Sequence, residues 1–301
     1  MTEQARKICK RLHRYMLLGP ARGRVHSVFN HAVNLQLPFG LMSVLTGGNC
    51  LRPFSCTVSG LKPFPQIPIT EGMEVQISGE TISIPAADFH VSVSQAVDYD
   101  LAVDAMANLF VPIDIQLRLR HLLGVIESHA DPEDLSSLVL PDTKHNAYAE
   151  LLAPRLPTLK AALEEEDVLA CLNTAREISG CGVGLTPSSD DLLAGYMAGY
   201  AALFYAFGRL PARVLPLTRA LAQGAAKHTT DLSAAFLLQG GEGLVSEDMI
   251  QLLFSLFSDV SHPTLTANAA RVAAVGATSG NDTLAGLVLA ITHHYGGKQF
   301  D

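Results

Sequence analysis

Near residue 95 the spacing of apolar residues changes, and this change most constrains the fold. Before it, apolar and polar residues alternate. Val33, Leu35 and Leu37 are separated by Asn34 and Gln36, the period-two pattern of a half-buried strand. Residues 40–45 make a second short strand, ended by Gly47-Gly48. Met73, Val75 and Ile77 face one side of a hairpin over 73–85, Ser78-Gly79 turns it, and Ile82 and Ile84 return. Pro53, Pro63, Pro65 and Pro68 mark loops or strand edges. Short strands with such turn signals predict a small barrel or sandwich.

After residue 95 the pattern is helical. Helices are expected over 99–110, 113–129, 156–178, 192–208, 211–227, 232–239, 246–258, 264–275 and 282–293, most of them of ordinary globular length. A further short amphipathic helix is expected within residues 1–20, from Ile8, Leu12 and Tyr15. The fold class is therefore α+β. A β-rich N-terminal domain over 1–98 precedes an α-helical domain over 99–301, both of ordinary domain size.

The charge balance narrows the function. Asp, Glu, Lys and Arg make up 17% of the chain, against roughly 25% in an average soluble protein, while 48% is hydrophobic. Such a chain can bury enough surface to order itself. A net charge of −8 provides no basic field for nucleic acid or an anionic membrane. The apolar stretch 192–208 sits at the lower edge of a spanning helix and reads as a buried core helix. The N-terminus lacks the apolar core of a signal peptide. Five cysteines without a C-x-x-C pair fit reduced thiols in the cytoplasm and no zinc site. His293-His294 reads as imidazolium at the negative end of a helix dipole. Apolar surface in excess of one core suits burial against partner subunits or copies of the chain.

The chemistry-bearing stretch is Gly-Cys-Gly-Val-Gly-Leu-Thr-Pro-Ser-Ser-Asp-Asp-Leu-Leu-Ala-Gly over 180–195. Gly180, Gly182 and Gly184 give a backbone able to take positive φ or approach a ligand closely. Thr186 and Ser188 are N-cap types around Pro187, and Asp190 and Asp191 fall in the first helical turn. A related unit, Gly-Ala-Thr-Ser-Gly-Asn-Asp-Thr-Leu-Ala-Gly, occupies 276–286. Without gaps, Ser188 matches Ser279, Asp190 matches Asn281, Asp191 matches Asp282 and Gly195 matches Gly286. The shared glycines predict two apolar helices packed closely, with their N-termini pointing at one place. Such termini attract anions. Asp191 and Asp282 would repel bare phosphate, so they suit an amide NH₂ or a bridging cation. The candidate binding residues are Gly182, Gly184, Thr186, Ser188, Thr278, Ser279 and Gly280, with Thr229 and Ser233 from a third polar cluster at 228–233. The candidate chemical groups are Asp190, Asp191, Asp282 and His228. No metal or organic cofactor is indicated, although a divalent cation fits the aspartates. The alternative is that each Ser-x-x-Asp start is a capping box with a purely structural role. There is no P-loop and no G-x-S-x-G nucleophile elbow.

The two motifs, in this order and at this spacing, resemble a bacterial family with the signature Gly-x-Gly-Leu-Thr-Pro-Ser-x-Asp-Asp and a later Thr-Ser-Gly-x-Asp. The β-rich first third resembles it more loosely, through its strand pattern and Asn34. The family includes the AllH-like subunit of oxamate carbamoyltransferase, from anaerobic allantoin and purine breakdown. The resemblance implies work with FdrA-like and other carbamoyltransferase subunits, converting oxalurate and phosphate to oxamate and carbamoyl phosphate. It implies a small anionic ligand such as carbamoyl phosphate, phosphate or oxamate. A non-catalytic scaffold or anion-binding subunit of a related complex is the second reading, and a stand-alone metal-assisted hydrolase the third.

Overall fold

The computed structural model describes residues 2–107, 109, 114–141, 143–208 and 211–295. The chain divides into two compact units, Met1–Leu101 and Ala102–Asp301.

The first unit is an eight-stranded barrel with one extra strand. Its strands are β1 (Thr2–Cys9), β2 (Ala21–Val28), β3 (Ala32–Leu37), β4 (Gly40–Thr46), β5 (Ser55–Val58), β6 (Glu74–Ser78), β7 (Thr81–Ile84), β8 (Phe89–Ser92) and β9 (Val97–Tyr99). They lie in the order β5-β4-β3-β2-β6-β7-β8-β1-β9, and β1 returns to β5 to close the ring. Closure removes the exposed edges that an open sheet would present. The hairpin over 73–85 forms as its alternation predicts, with Ile77 opposite Ile82. Val75, Ile77, Ile82 and Ile84 are all buried.

The N-terminus contains the expected short helix, preceded by a strand that the sequence did not announce. Residues 2–9 form β1, and only Lys10–Leu17 is helical (α1), burying Leu12 and Met16. Along its length β1 pairs with three strands, antiparallel to β5 and parallel to β8 and β9. These ladders take Ile8 into the strand, while Leu12 and Tyr15 keep the helical spacing within α1. The helix expected over 99–110 is absent where described. The end of β9 and a short 3-10 turn, Val103–Met106, lie there, while residues 108 and 110 fall outside the described set.

The second unit contains ten α-helices among the described residues: α2 (Ile115–Ser128), α3 (Ala147–Leu152), α4 (Leu156–Glu164), α5 (Val168–Ile178), α6 (Ser188–Ala206), α7 (Pro211–Ala225), α8 (Asp231–Gly241), α9 (Glu247–Phe257), α10 (His262–Ala273) and α11 (Ser279–His294). The single helix expected over 156–178 is two. Glu166 takes φ 53°, and the Asp167 side chain caps α5 by accepting from Leu169 and Ala170 N–H at 2.9 Å each.

Helix α6 is the centre of this unit. All of its nineteen residues except Asp191 and Ala194 are buried, as expected of a helix that is apolar on every side. No helix among the described residues is long and apolar enough to cross a membrane. The most extensive partner of α6 is α11. The C-terminal end of α11 also corrects the sequence reading. His294 is 1% exposed, and burial lowers its pKa to about 3. It is therefore a neutral imidazole, bonded through Nε2 to the Tyr196 hydroxyl at 3.0 Å, and not an imidazolium at a helix end.

Candidate functional site

The two related motifs meet at the crossing of α6 and α11, and they meet reciprocally. A Cβ placed on Gly195 would lie 1.9 Å from the carbonyl oxygen of Thr283, and one on Gly286 would lie 1.9 Å from that of Leu192. Leu192 and Thr283 are themselves matched positions in the two motifs. Each helix thus uses its glycine to admit the same carbonyl of the other, an approximate two-fold relation. The close approach brings both N-terminal turns together.

The hydroxyls and carboxyls follow the same reciprocity. Thr186 Oγ1 lies 3.1 Å from Ser279 Oγ across the helix pair. Burial pushes the Asp191 carboxyl up to about 7, while the hydroxyls of Ser279 and Thr186 pull it down and the charges of Asp282 and Asp190 push it further up. Burial likewise pushes Asp282 up to about 7. The Leu135 N–H and the hydroxyls of Ser188 and Thr278 oppose the rise, and Asp134 adds to it. The serine of each motif therefore acts on the aspartate of the other. One oxygen of each carboxyl, Asp191 Oδ2 and Asp282 Oδ2, is buried without a hydrogen-bond partner. Asp282 is fully enclosed, whereas Asp191 is partly exposed at the end of the pair.

Neither serine is an N-cap. Ser188 and Ser279 are the first residues of their helices, and the cap positions, Pro187 and Thr278, make no side-chain cap bond. The preceding loops close the helix ends instead. Ser189 N–H donates to the Cys181 carbonyl at 3.0 Å, and Gly280 N–H, its matched position, donates to the Val275 carbonyl at 2.9 Å. These two backbone donors are thereby spent, and the hydroxyl and carboxyl groups of the motifs stand beside the remaining helix-end amides.

Asp190 and its match Asn281 anchor neighbouring segments. Asp190 is 1% exposed. Its Oδ1 accepts the Gly180 N–H at 2.8 Å, and its Oδ2 accepts the hydroxyls of Ser233 (2.6 Å) and Thr229. Asp190 and Ser233, both buried, with half-buried Thr229 thus form a separate cluster that ties the glycine loop to the start of α8. Within the loop, Gly182 has φ 133° and a Cβ there would lie 2.4 Å from Ser188 N, so only glycine fits. Gly184 also has positive φ, in an open setting. Gly280 lets α11 start against the carbonyls of Val272 and Ala273, 2.1 and 2.6 Å from its would-be Cβ. His228 is brought near through its backbone, since its carbonyl oxygen would lie 2.2 Å from a Cβ on Gly180. Its imidazole is exposed.

The segment 131–138 joins the site without a sequence signal strong enough to place it there. Leu135 N–H donates to Asp282 Oδ1 at 2.7 Å. Asn281 Nδ2 donates to Asp134 Oδ2 at 2.6 Å and to the Ile126 carbonyl at 3.2 Å. Asp134 also accepts the backbone N–H of Asp131 and Ser136. The run Asp131-Pro-Glu-Asp134 has the polar composition of a turn, but nothing in it reveals a partner 147 residues away. Among the described residues, no three His, Cys, Asp or Glu side chains are placed to hold a metal ion.

A closed β-barrel followed by a helical unit with two matched, carboxyl-bearing helix starts defines the class of this chain. Residues 178–291, which contain both motifs, match the family described as oxamate carbamoyltransferase subunit AllH, and residues 4–98 match the AllH family N-terminal domain. The chain belongs to the AllH family. No curated protein matches it, and neither does any solved structure. Membership makes it a subunit of a multi-subunit carbamoyltransferase, with other subunits as partners.

Proposed function

We propose that the crossing of α6 and α11 is the small-molecule site of an oxamate carbamoyltransferase subunit, and that it works on the interconversion of oxalurate plus phosphate with oxamate plus carbamoyl phosphate. The observation that supports this most is the pair of buried, partnerless carboxyl oxygens, Asp191 Oδ2 and Asp282 Oδ2, at the meeting of two matched motifs. Buried polar atoms are mostly bonded, and these two, with Asn281 Oδ1 beside them as a third, cluster at the matched motifs, which suits a ligand that completes them. The setting suits substrates of this kind. An amide NH₂ donates to a carboxylate, and a protonated carboxyl or a serine hydroxyl donates to a carboxylate or phosphoryl oxygen. Carbamoyl transfer develops negative charge on a carbonyl oxygen, which fixed donors stabilise. Thr186, Ser188, Thr278 and Ser279 would provide those donors, Asp191 and Asp282 would orient the amide, and Asp190 would hold the loop. FdrA-like and other subunits would complete the enzyme, in the cytoplasm, within purine nitrogen breakdown.

Calorimetry of the chain with carbamoyl phosphate, phosphate and oxamate tests this reading. Binding by the wild type, lost in Asp191→Ala with the melting temperature retained, is expected. Undiminished binding by Asp191→Ala would move the site elsewhere. Absence of binding together with tight association to the other subunits would favour a scaffold role.

A further inference from the structure

We propose that the Asp191–Asp282 pair admits an anion only together with a proton, so that ligand capture is coupled to proton uptake by these two carboxyls. This rests on the reading of the site as one for a small anion, and adds the rule by which an acidic site accepts one.

Part of the usual means of holding an anion is already used at this site. The amides of Ser189 and Gly280 are committed to the Cys181 and Val275 carbonyls. The carboxylates of Asp190 and Asp134, and of the pair itself, are the charges acting most strongly on Asp191 and Asp282. An anion set against two ionised carboxylates in a poorly hydrated crossing meets like charge on both sides. Hydroxyls alone offset little of that repulsion.

Protonation reverses the chemistry at the two atoms that are free to change. Asp282 Oδ1 already accepts from Leu135 N–H at 2.7 Å, which leaves Oδ2, fully buried and partnerless, to carry the proton. Asp191 Oδ2 is in the same condition. A protonated Oδ2 becomes an O–H donor that an anion at the crossing can accept. The proton comes from solvent as the anion enters and returns to solvent as it leaves. Burial, with neighbouring carboxylates adding to it, pushes both groups up to about 7, so the proton is gained without strongly acid conditions.

The test is titration calorimetry of the full chain with sulfate and with oxamate, neither of which takes up a proton between pH 6 and 9. It is run in two buffers of different ionisation enthalpy. At pH 8 the apparent enthalpy is expected to differ between buffers in proportion to between one and two protons taken up per anion. Affinity is expected to weaken about tenfold per pH unit above 7 for each proton involved. Asp282→Asn should lower the proton count by about one and flatten the pH profile. Binding with a buffer-independent enthalpy and an affinity constant from pH 6 to 9, or binding with proton release, would overturn the coupling while leaving the anion site standing. If neither anion binds at any pH in this range, both the coupling and the anion-site reading fail.

Discussion

At the residue scale, two neighbouring aspartates do different work. Asp190 spends its carboxylate on Gly180, Thr229 and Ser233. Asp190→Ala leaves the buried Ser233 hydroxyl without its acceptor and frees the more accessible Gly180 and Thr229 donors, so a loss of about 2 kcal/mol in urea unfolding is expected. Asp282 behaves in the opposite way. Its folded-state pKa lies near 7, above its ordinary value, so the folded chain binds the proton more tightly than the unfolded chain. Its contribution is fully present below about pH 4 and is lost as pH rises through 7. Wild-type stability should therefore fall relative to Asp282→Asn between about pH 4 and 7, approaching about 1.4 kcal/mol per pH unit, and level off above. Parallel denaturation curves at several pH values would show this. A constant difference between the two proteins would mean that Asp282 is ionised throughout.

At the scale of elements, the α6–α11 crossing was legible in the sequence because its requirement is local. Two Leu-Ala-Gly units, ending at Gly195 and Gly286, are enough to announce close helix packing. The hairpin of β6 and β7 was legible for a similar reason, since its alternation and turn lie within a dozen residues. The strand β1 was not. Its sequence, Thr-Glu-Gln-Ala-Arg-Lys-Ile-Cys, buries only Ala5, Ile8 and Cys9, and its extended form comes from ladders with strands about 50 to 90 residues away. The α4–α5 break was also hidden, because Glu166 takes a positive φ where glycine would be the usual marker. The capping reading of Ser188 and Ser279 failed because a serine at a helix start can turn its hydroxyl to the neighbouring helix, and sequence spacing does not distinguish the two. The crossing makes a sharp prediction. Gly195→Ala or Gly286→Ala puts a methyl group against a carbonyl that cannot move without parting the helices, and should cost at least about 3 kcal/mol. Gly124→Ala, within α2 and with nothing within 4 Å of the new methyl, should instead stabilise by about 0.5–1 kcal/mol. Thermal melts of the three variants would separate packing at the crossing from a general dislike of change in the helical unit.

At the scale of the whole molecule, the high apolar content is spread over the core of the barrel and of the helical unit, with α6 and α11 two helices buried through most of their length. The exposed apolar residues include Val183 and Leu185 on the glycine loop beside the site. The sequence could place the motifs in one helical unit, but it could not show that their serines and aspartates act across the pair. That relation depends on the approximate two-fold crossing, which brings together residues some 90 positions apart. In the proposed reading, Asp191 and Asp282 form one ligand site through this crossing. The test is carbamoyl transfer by the chain reconstituted with its partner subunits, comparing wild type with Asp191→Ala and Asp282→Ala at pH 7. A loss of at least about 100-fold in each single variant, no larger in the double variant, with assembly intact, is predicted for two groups acting as a unit. Near-normal transfer in either variant would contradict the claim.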